Sequence, residues 1–327
     1  MSTIIKTLAQ YKAKLGGVQK EMYEKTWMPF VEQAETKYIM PFIGEDFYEE
    51  LVELTAPDKK QTKLISLLQA ASAQYAYMSS IISMTVSKGD AGIMQNNPSN
   101  TSSLTKWQFV TLAKDSRDKA DSAMETALKW LDKNKADFTT WTASDEYKES
   151  QALLISSAQD YTKVLPFVND SLLMYRRLRG YIGLSERDFI APAIGHAFLN
   201  SIKVKAALAN PQWTEVEEEM LDLLRSALGH HAFSKSIMYL NINSDFRVVS
   251  ETDGVINEGD LSDDRKSGMI VENQDRAIEF LNKLKSHLNQ NASAKVYPLF
   301  FSSKLYKPTL KPLDKLPPIV AGQPLFL

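Results

Sequence analysis

In residues 64–84, LISLLQAASAQYAYMSSIISM, apolar side chains fall at 64, 65, 67, 68, 71, 75, 78, 81 and 82. That period is close to 3.6 and predicts a helix with one buried face. Similar patterns predict helices over 115–133 and 272–289. A fourth is predicted over 214–240. Thr214 and Glu217 stand at the spacing of a capping box, and Pro211 sits in the loop just upstream. Strand signals are few. SIMYLNI and DFRVVSE, around 237–251, are rich in β-formers and predict a hairpin across NSD. The stretches 87–103 and 251–268 are rich in Gly, Asn, Asp and Ser and predict loops. The fold class is therefore mainly α, with a short β-hairpin or extended loops.

The pattern changes after residue 295. Residues 296–327 hold six of the thirteen prolines, at 298, 308, 312, 317, 318 and 324. So many prolines forbid a long helix. The segment is nevertheless apolar, with Tyr297, Phe300, Phe301, Tyr306, Ile319, Leu325, Phe326 and Leu327 among interleaved lysines. It reads as an extended arm that lies on a surface of a neighbouring subunit or partner.

One pattern occurs twice. KYIMPFIGEDF begins at residue 37 and RDFIAPAIGHAF at residue 187. With Tyr38 set on Phe189, Ile39, Pro41, Ile43, Gly44 and Phe47 fall on Ile190, Pro192, Ile194, Gly195 and Phe198. Upstream, Trp27, Phe30, Val31 and Glu35 fall on Leu178, Tyr181, Ile182 and Glu186. Downstream, after a five-residue insertion before Thr214, Leu67, Leu68, Ala71, Ala76, Ser80 and Ile81 fall on Leu223, Leu224, Ala227, Ala232, Ser236 and Ile237. This collinearity predicts a tandem duplication of one helical domain. The units are placed at 1–137 and 138–295, followed by the arm at 296–327. The repeated motif is a helix corner. Proline ends or bends a helix, glycine supplies the left-handed geometry of a helix C-terminus, and the isoleucines and aromatic residues pack the bend.

Composition narrows the function. Among 327 residues, 38 basic side chains balance 40 acidic ones, so overall charge points neither to nucleic-acid binding nor to a polyanionic tail. There is no cysteine, which removes disulfides, thiolate metal sites and cysteine nucleophiles. No apolar run predicts a leader peptide or a membrane span. The four histidines, 196, 230, 231 and 287, lack the i, i+4 spacing of a helical metal pair. Glu258, Asp260, Asp263 and Asp264 lack calcium-loop spacing and read as a solvated loop. Arg176, Arg177 and Arg179 form a small basic cluster, read as salt bridging on a helix surface or at an interface, or as facing DNA. No phosphate-cradling loop, nucleophile elbow or zinc-protease motif is present. The expectation is a protein without enzymatic activity, catalytic residues, bound metal or cofactor.

The stretch AETKYIMPFIGEDFYEEL resembles the opening of the helical head–tail connector proteins of tailed phages, the adaptors that sit beneath the portal. The duplicated order resembles a longer, double-domain version found in phages and prophages of the Bacteroidetes. The resemblance spans about 15–134 and 165–290. It implies a structural virion protein of the neck that forms a homo-oligomeric ring, contacts the portal and further tail or neck proteins, and passes DNA only as cargo. No membrane is implied. The implied location is the virion, with the host cytoplasm during assembly. The alternatives are another phage structural component, for tail completion or on the capsid, or an intracellular helical binding module.

Overall fold

The computed structural model describes residues 3–16, 22–84, 86–89, 92–95, 105–208, 210–242, 248–249 and 262–308. Two helical units follow one another. In unit 1, α1 (Leu8–Leu15) leads to α2 (Glu24–Ala34), which passes through a π-helical turn (Glu35–Ile39) into the single turn α3 (Met40–Ile43). Then come α4 (Glu45–Glu53), the long α5 (Lys59–Met84), a hairpin of β1 (Val86–Gly89) and β2 (Gly92–Gln95), the long α6 (Lys106–Lys133), α7 (Thr139–Ala143) and α8 (Asp145–Gln151). Unit 2 repeats the order. It consists of α9 (Ala158–Val164), α10 (Leu172–Ser185), a second π turn (Glu186–Ile190), α11 (Ala191–Ile194), α12 (His196–Ala206), α13 (Glu215–Tyr239), a hairpin of β3 (Asn241–Ile242) and β4 (Val248–Val249), α14 (Asp263–Asn291) and α15 (Pro298–Phe301).

The long helices start where their caps dictate. Thr105 with Gln108 and Thr214 with Glu217 form reciprocal capping boxes at α6 and α13. Ser262 caps α14, whose first turn contains Asp263 and Asp264. Those two acids therefore belong to a helix start, where they complement the positive end of the helix, and not to the loop that the sequence suggested. Glu258 and Asp260 lie outside the described residues. The stretch from residue 87, expected as a loop, forms hairpin β1–β2, with Val86 opposite Gln95. The predicted second hairpin is present but short, because α13 runs on to Tyr239.

Each unit wraps its own core around its long helical pair, α5 with α6 and α13 with α14. Matching positions fill both cores. Ile5, Tyr11, Val31, Ile39, Leu68 and Leu131 of unit 1 correspond to Ile155, Tyr161, Ile182, Ile190, Leu224 and Leu288 of unit 2, all buried. Side chains of this size contribute about 1.5–3 kcal/mol each when fully buried.

The duplication reaches further than the sequence pattern suggested. Upstream, Thr7 and Ser157 cap the equivalent helices α1 and α9. Downstream, Phe138, Trp141, Ser144 and Tyr147 correspond to Tyr297, Phe300, Ser303 and Tyr306. Phe47 meets Phe138 edge-on at 5.7 Å, and its counterpart Phe198 meets Tyr297 edge-on at 5.5 Å. Ser144 donates to Trp141 O and Ser303 to Phe300 O, both at 2.7 Å.

Two boundaries therefore move. Phe138 and Trp141 close the core of unit 1, while Leu154 and Ile155 belong to unit 2. The division falls after α8, not at 137/138. Likewise the C-terminal arm does not start at 296. Tyr297 and Phe300 are core residues of unit 2, and Tyr306 packs against that core. Pro298 is accommodated in a helical turn because it stands at the turn's first position, where no N–H is needed. Phe301 is 39% exposed. Ile319, Leu325, Phe326 and Leu327 lie outside the described residues.

Candidate functional site

Two features stand out, the repeated corner and the joint between the units. At each corner a proline, Pro41 or Pro192, follows the π turn. In a regular α-helix its ring would press on the carbonyl four residues back, and its missing N–H would leave that carbonyl unpaired. The wider π turn removes the conflict, with Met40 N–H reaching Glu35 O and Ala191 N–H reaching Glu186 O. Both prolines are exposed, while Ile39, Ile43, Phe47, Ile190, Ile194 and Phe198 point into their cores. Gly44 (φ 85°, ψ 148°) and Gly195 (φ 94°, ψ 133°) turn the chain into the next helix. These are positive-φ conformations that only glycine adopts readily, though with the ψ of an extended chain and not of the left-handed helical cap the sequence suggested.

The first residue of each π turn is a buried glutamate. Glu35 is fully buried, and its carboxylate accepts from Ile4 N (2.7 Å), Ile5 N (3.2 Å), Tyr48 OH (2.6 Å) and Ser72 Oγ (2.8 Å). Burial raises its pKa above the ordinary carboxylate value, against the pull of those hydrogen bonds. Glu186 accepts from Leu154 N (2.6 Å) and from Lys203 Nζ (2.6 Å). In both units the glutamate ties the entering chain to the corner. It was visible in the sequence as an aligned Glu pair. Its role was not, because the partners 30 or so residues upstream fall outside the recognised repeat.

The arginine cluster lies at the joint. Arg176 stands over the Trp141 ring, 5.9 Å from its centroid, and Arg179 donates to Glu146 O at 2.6 Å and to Ser150 Oγ at 3.3 Å. Arg179 also pairs with Glu149 at 3.7 Å. Arg177 acts electrostatically on Tyr75 of α5. Burial, helped by the neighbouring Arg179, pushes the Arg176 pKa down to about 10. Arg176 and Arg179 thus serve the contact with unit 1. Opposite them, Glu125 of α6 reaches across and accepts from Leu172 N (2.8 Å), Leu173 N (3.1 Å) and Ser171 Oγ (3.1 Å). A carboxylate from one unit thereby satisfies the free N–H groups at the start of the other unit's helix. Leu173 is buried in the core of unit 1.

Three of the four histidines are packing residues, and His196 is exposed. His230 bonds Asn273 Oδ1 at 2.8 Å, His231 bonds Ser185 Oγ at 2.8 Å and stacks on Phe189 at 4.0 Å, and His287 donates to Val216 O at 3.0 Å. Burial pushes the His231 pKa down to about 4. Among the described residues no group of three or more His, Asp or Glu is placed to hold a metal ion, and no helix is long and apolar enough to cross a membrane. The Tyr297 end of the supposed arm borders a groove of about 390 Å³ shared with Phe198, Ile202, Trp213 and Leu299.

One family model matches the chain, over residues 18–151 and 190–309, and it describes a family of unknown function, DUF6712. No curated protein and no solved structure matches. The first matched stretch holds the Glu35 corner together with its closing segment, Phe138 to Tyr147, and the second runs from Ile190 through the closing segment of unit 2. The matched stretches fit two tandem helical copies, and the chain belongs to the DUF6712 family.

Proposed function

We propose that this protein is a structural component of a tailed-phage particle, an adaptor that forms a ring beneath the portal and joins the head to the tail. The observation that carries the reading is the corner that resembles the connector domains, repeated as two copies within one chain. Each copy is fixed by the same device, a π turn whose buried glutamate ties down the incoming chain. A unit whose incoming chain is tied to its corner suits a part that bears load between two larger bodies. The joint between copies supports the reading too, because it is made by two different faces. Contacts of that kind generate rings when the rotation closes. In this reading the protein acts without catalysis or cofactor, and its partners are its own copies, the portal and further neck or tail proteins.

The test is quantitative mass spectrometry of purified particles, scaled to the portal subunit. A copy number near that of one ring is expected. Hundreds of copies would assign the protein to the capsid or the tail tube instead, and absence from particles would overturn the reading.

A further inference from the structure

The internal joint has two unlike sides. Unit 1 contributes the closing end of its fold, with Glu125, Trp141, Glu146 and Glu149. Unit 2 contributes the start of its corner helix, with Leu173, Arg176 and Arg179. Because the units are copies, each unused side recurs at an outer end of the chain. The corner helix recurs in unit 1 with Lys25 and Met28, and with Met22 just ahead of its start, while the closing end recurs in unit 2 as Asn282, Phe300, Leu305 and Pro308.

The residues at the outer ends have changed together. Where the inner joint sets Arg179 against the main-chain oxygen of Glu146 and the carboxylate of Glu149, the outer ends present Met28 on one side and Leu305 and Pro308 on the other. Charge has become apolar on both sides at once. The other pairs keep their chemistry. Arg176 over Trp141 becomes Lys25 and Phe300, and the acceptor Glu125 becomes the acceptor Asn282. Around Leu305 the outer end of unit 2 exposes Leu299 (46%), Phe301 (39%) and Leu305 itself (38%). Their counterparts in unit 1 are Thr140, Thr142 and Glu146. An apolar patch that appears only in the copy whose end faces outward marks a contact surface.

We infer that a second copy of this chain docks there, head to tail. The face of unit 2 built on Leu299, Phe301 and Leu305 receives Met22, Lys25 and Met28 of the next chain's unit 1, in the arrangement already seen inside the chain. The contact joins unlike faces, so it repeats into a ring or a filament. This sharpens the ring of the proposed function but stands on the internal joint alone.

The chain has no cysteine, which gives a clean test. Met28→Cys and Leu305→Cys are made in separate full-length chains. Under mild oxidation a mixture of the two should give a disulfide-linked dimer, while either variant alone stays unlinked. A linked dimer from one variant alone means a contact between like faces and overturns the inference, as does a mixture that stays unlinked. In parallel, analytical ultracentrifugation follows Leu305→Glu and Met28→Arg, with circular dichroism to verify folding. Each alone should weaken self-association about tenfold or more, and the double variant should recover it by placing opposite charges across the contact. Unchanged association in both single variants also overturns it. Loss of the protein from particles with the cross-link intact would sink the neck assignment and leave this contact standing.

Discussion

Glu35 and Glu186 occupy the same place in two copies of one fold and are held by different chemistry. Around Glu35, Tyr48 and Ser72 supply neutral hydroxyl donors and Val52 is apolar. In unit 2 the counterparts of those hydroxyl residues are Leu199 and Leu228, both buried, and Val52 is replaced by Lys203, which binds the carboxylate directly. Three positions have changed and the clamp survives. The constraint lies on satisfying a buried carboxylate, and a pair of hydroxyls or one ammonium meets it.

That contrast can be broken at several points. The largest effect is expected at the closing segment. Phe300→Ala should destabilise unit 2 by about 3–5 kcal/mol as a core truncation, measured by urea unfolding. Trp141→Ala should act similarly on unit 1. A near-neutral Phe300→Ala would return this segment to the status of a loose arm. Next, Lys203→Met removes the only ammonium on Glu186 among the described contacts and leaves a buried carboxylate without its cation, at about 3 kcal/mol. Tyr48→Phe removes one of four donors to Glu35 and should cost only about 1–2 kcal/mol. Equal costs would mean the two clamps do not differ in kind.

A third test uses pH. The folded Glu35 pKa is raised, so the folded protein holds this proton at pH values where the unfolded chain has released it. Stability from this group is therefore present below the ordinary carboxylate range and is lost as pH rises through the folded pKa. Glu35→Gln should flatten that part of the stability profile, and an unchanged profile would remove Glu35 from its origin. The smallest effect concerns Tyr11 and Tyr161, equivalent and fully buried. Tyr161 OH donates to Gly229 O at 3.1 Å, whereas the Tyr11 hydroxyl has no partner among the described residues. Tyr161→Phe should cost about 1 kcal/mol and Tyr11→Phe about nothing. The reverse order in thermal unfolding would refute the pairing.

Much of this fold was legible in the sequence. The period near 3.6, the Thr214 capping box and the doubled Ile-x-Pro-x-Ile-Gly gave the helices, a helix start and the duplication. The ends of the units were not legible. Thr7 against Ser157 and Trp141 against Phe300 keep their roles while changing identity, and loop insertions shift the spacing between copies. Proline content also misled. Six prolines suggested one extended arm, yet Pro298 sits where a helix tolerates it and the aromatic residues beside it are core. The main-chain partners of Glu35 and the joint of Glu125 with α10 join residues 30 or more apart, and no local pattern announces them.

The chemistry of the inner joint has a consequence for economy of assembly. Largely charged contacts such as Arg179 with Glu149 hold weakly between free molecules. Within one chain the two faces meet at an effective concentration on the order of millimolar, so a weak contact is formed in every molecule regardless of dilution. A polymerising species with both kinds of joint thus has one bond always made and one open to regulation by concentration. Every closed assembly of such chains contains an even number of units, and any neighbour that contacts unit after unit meets two alternating surfaces, not one repeated surface.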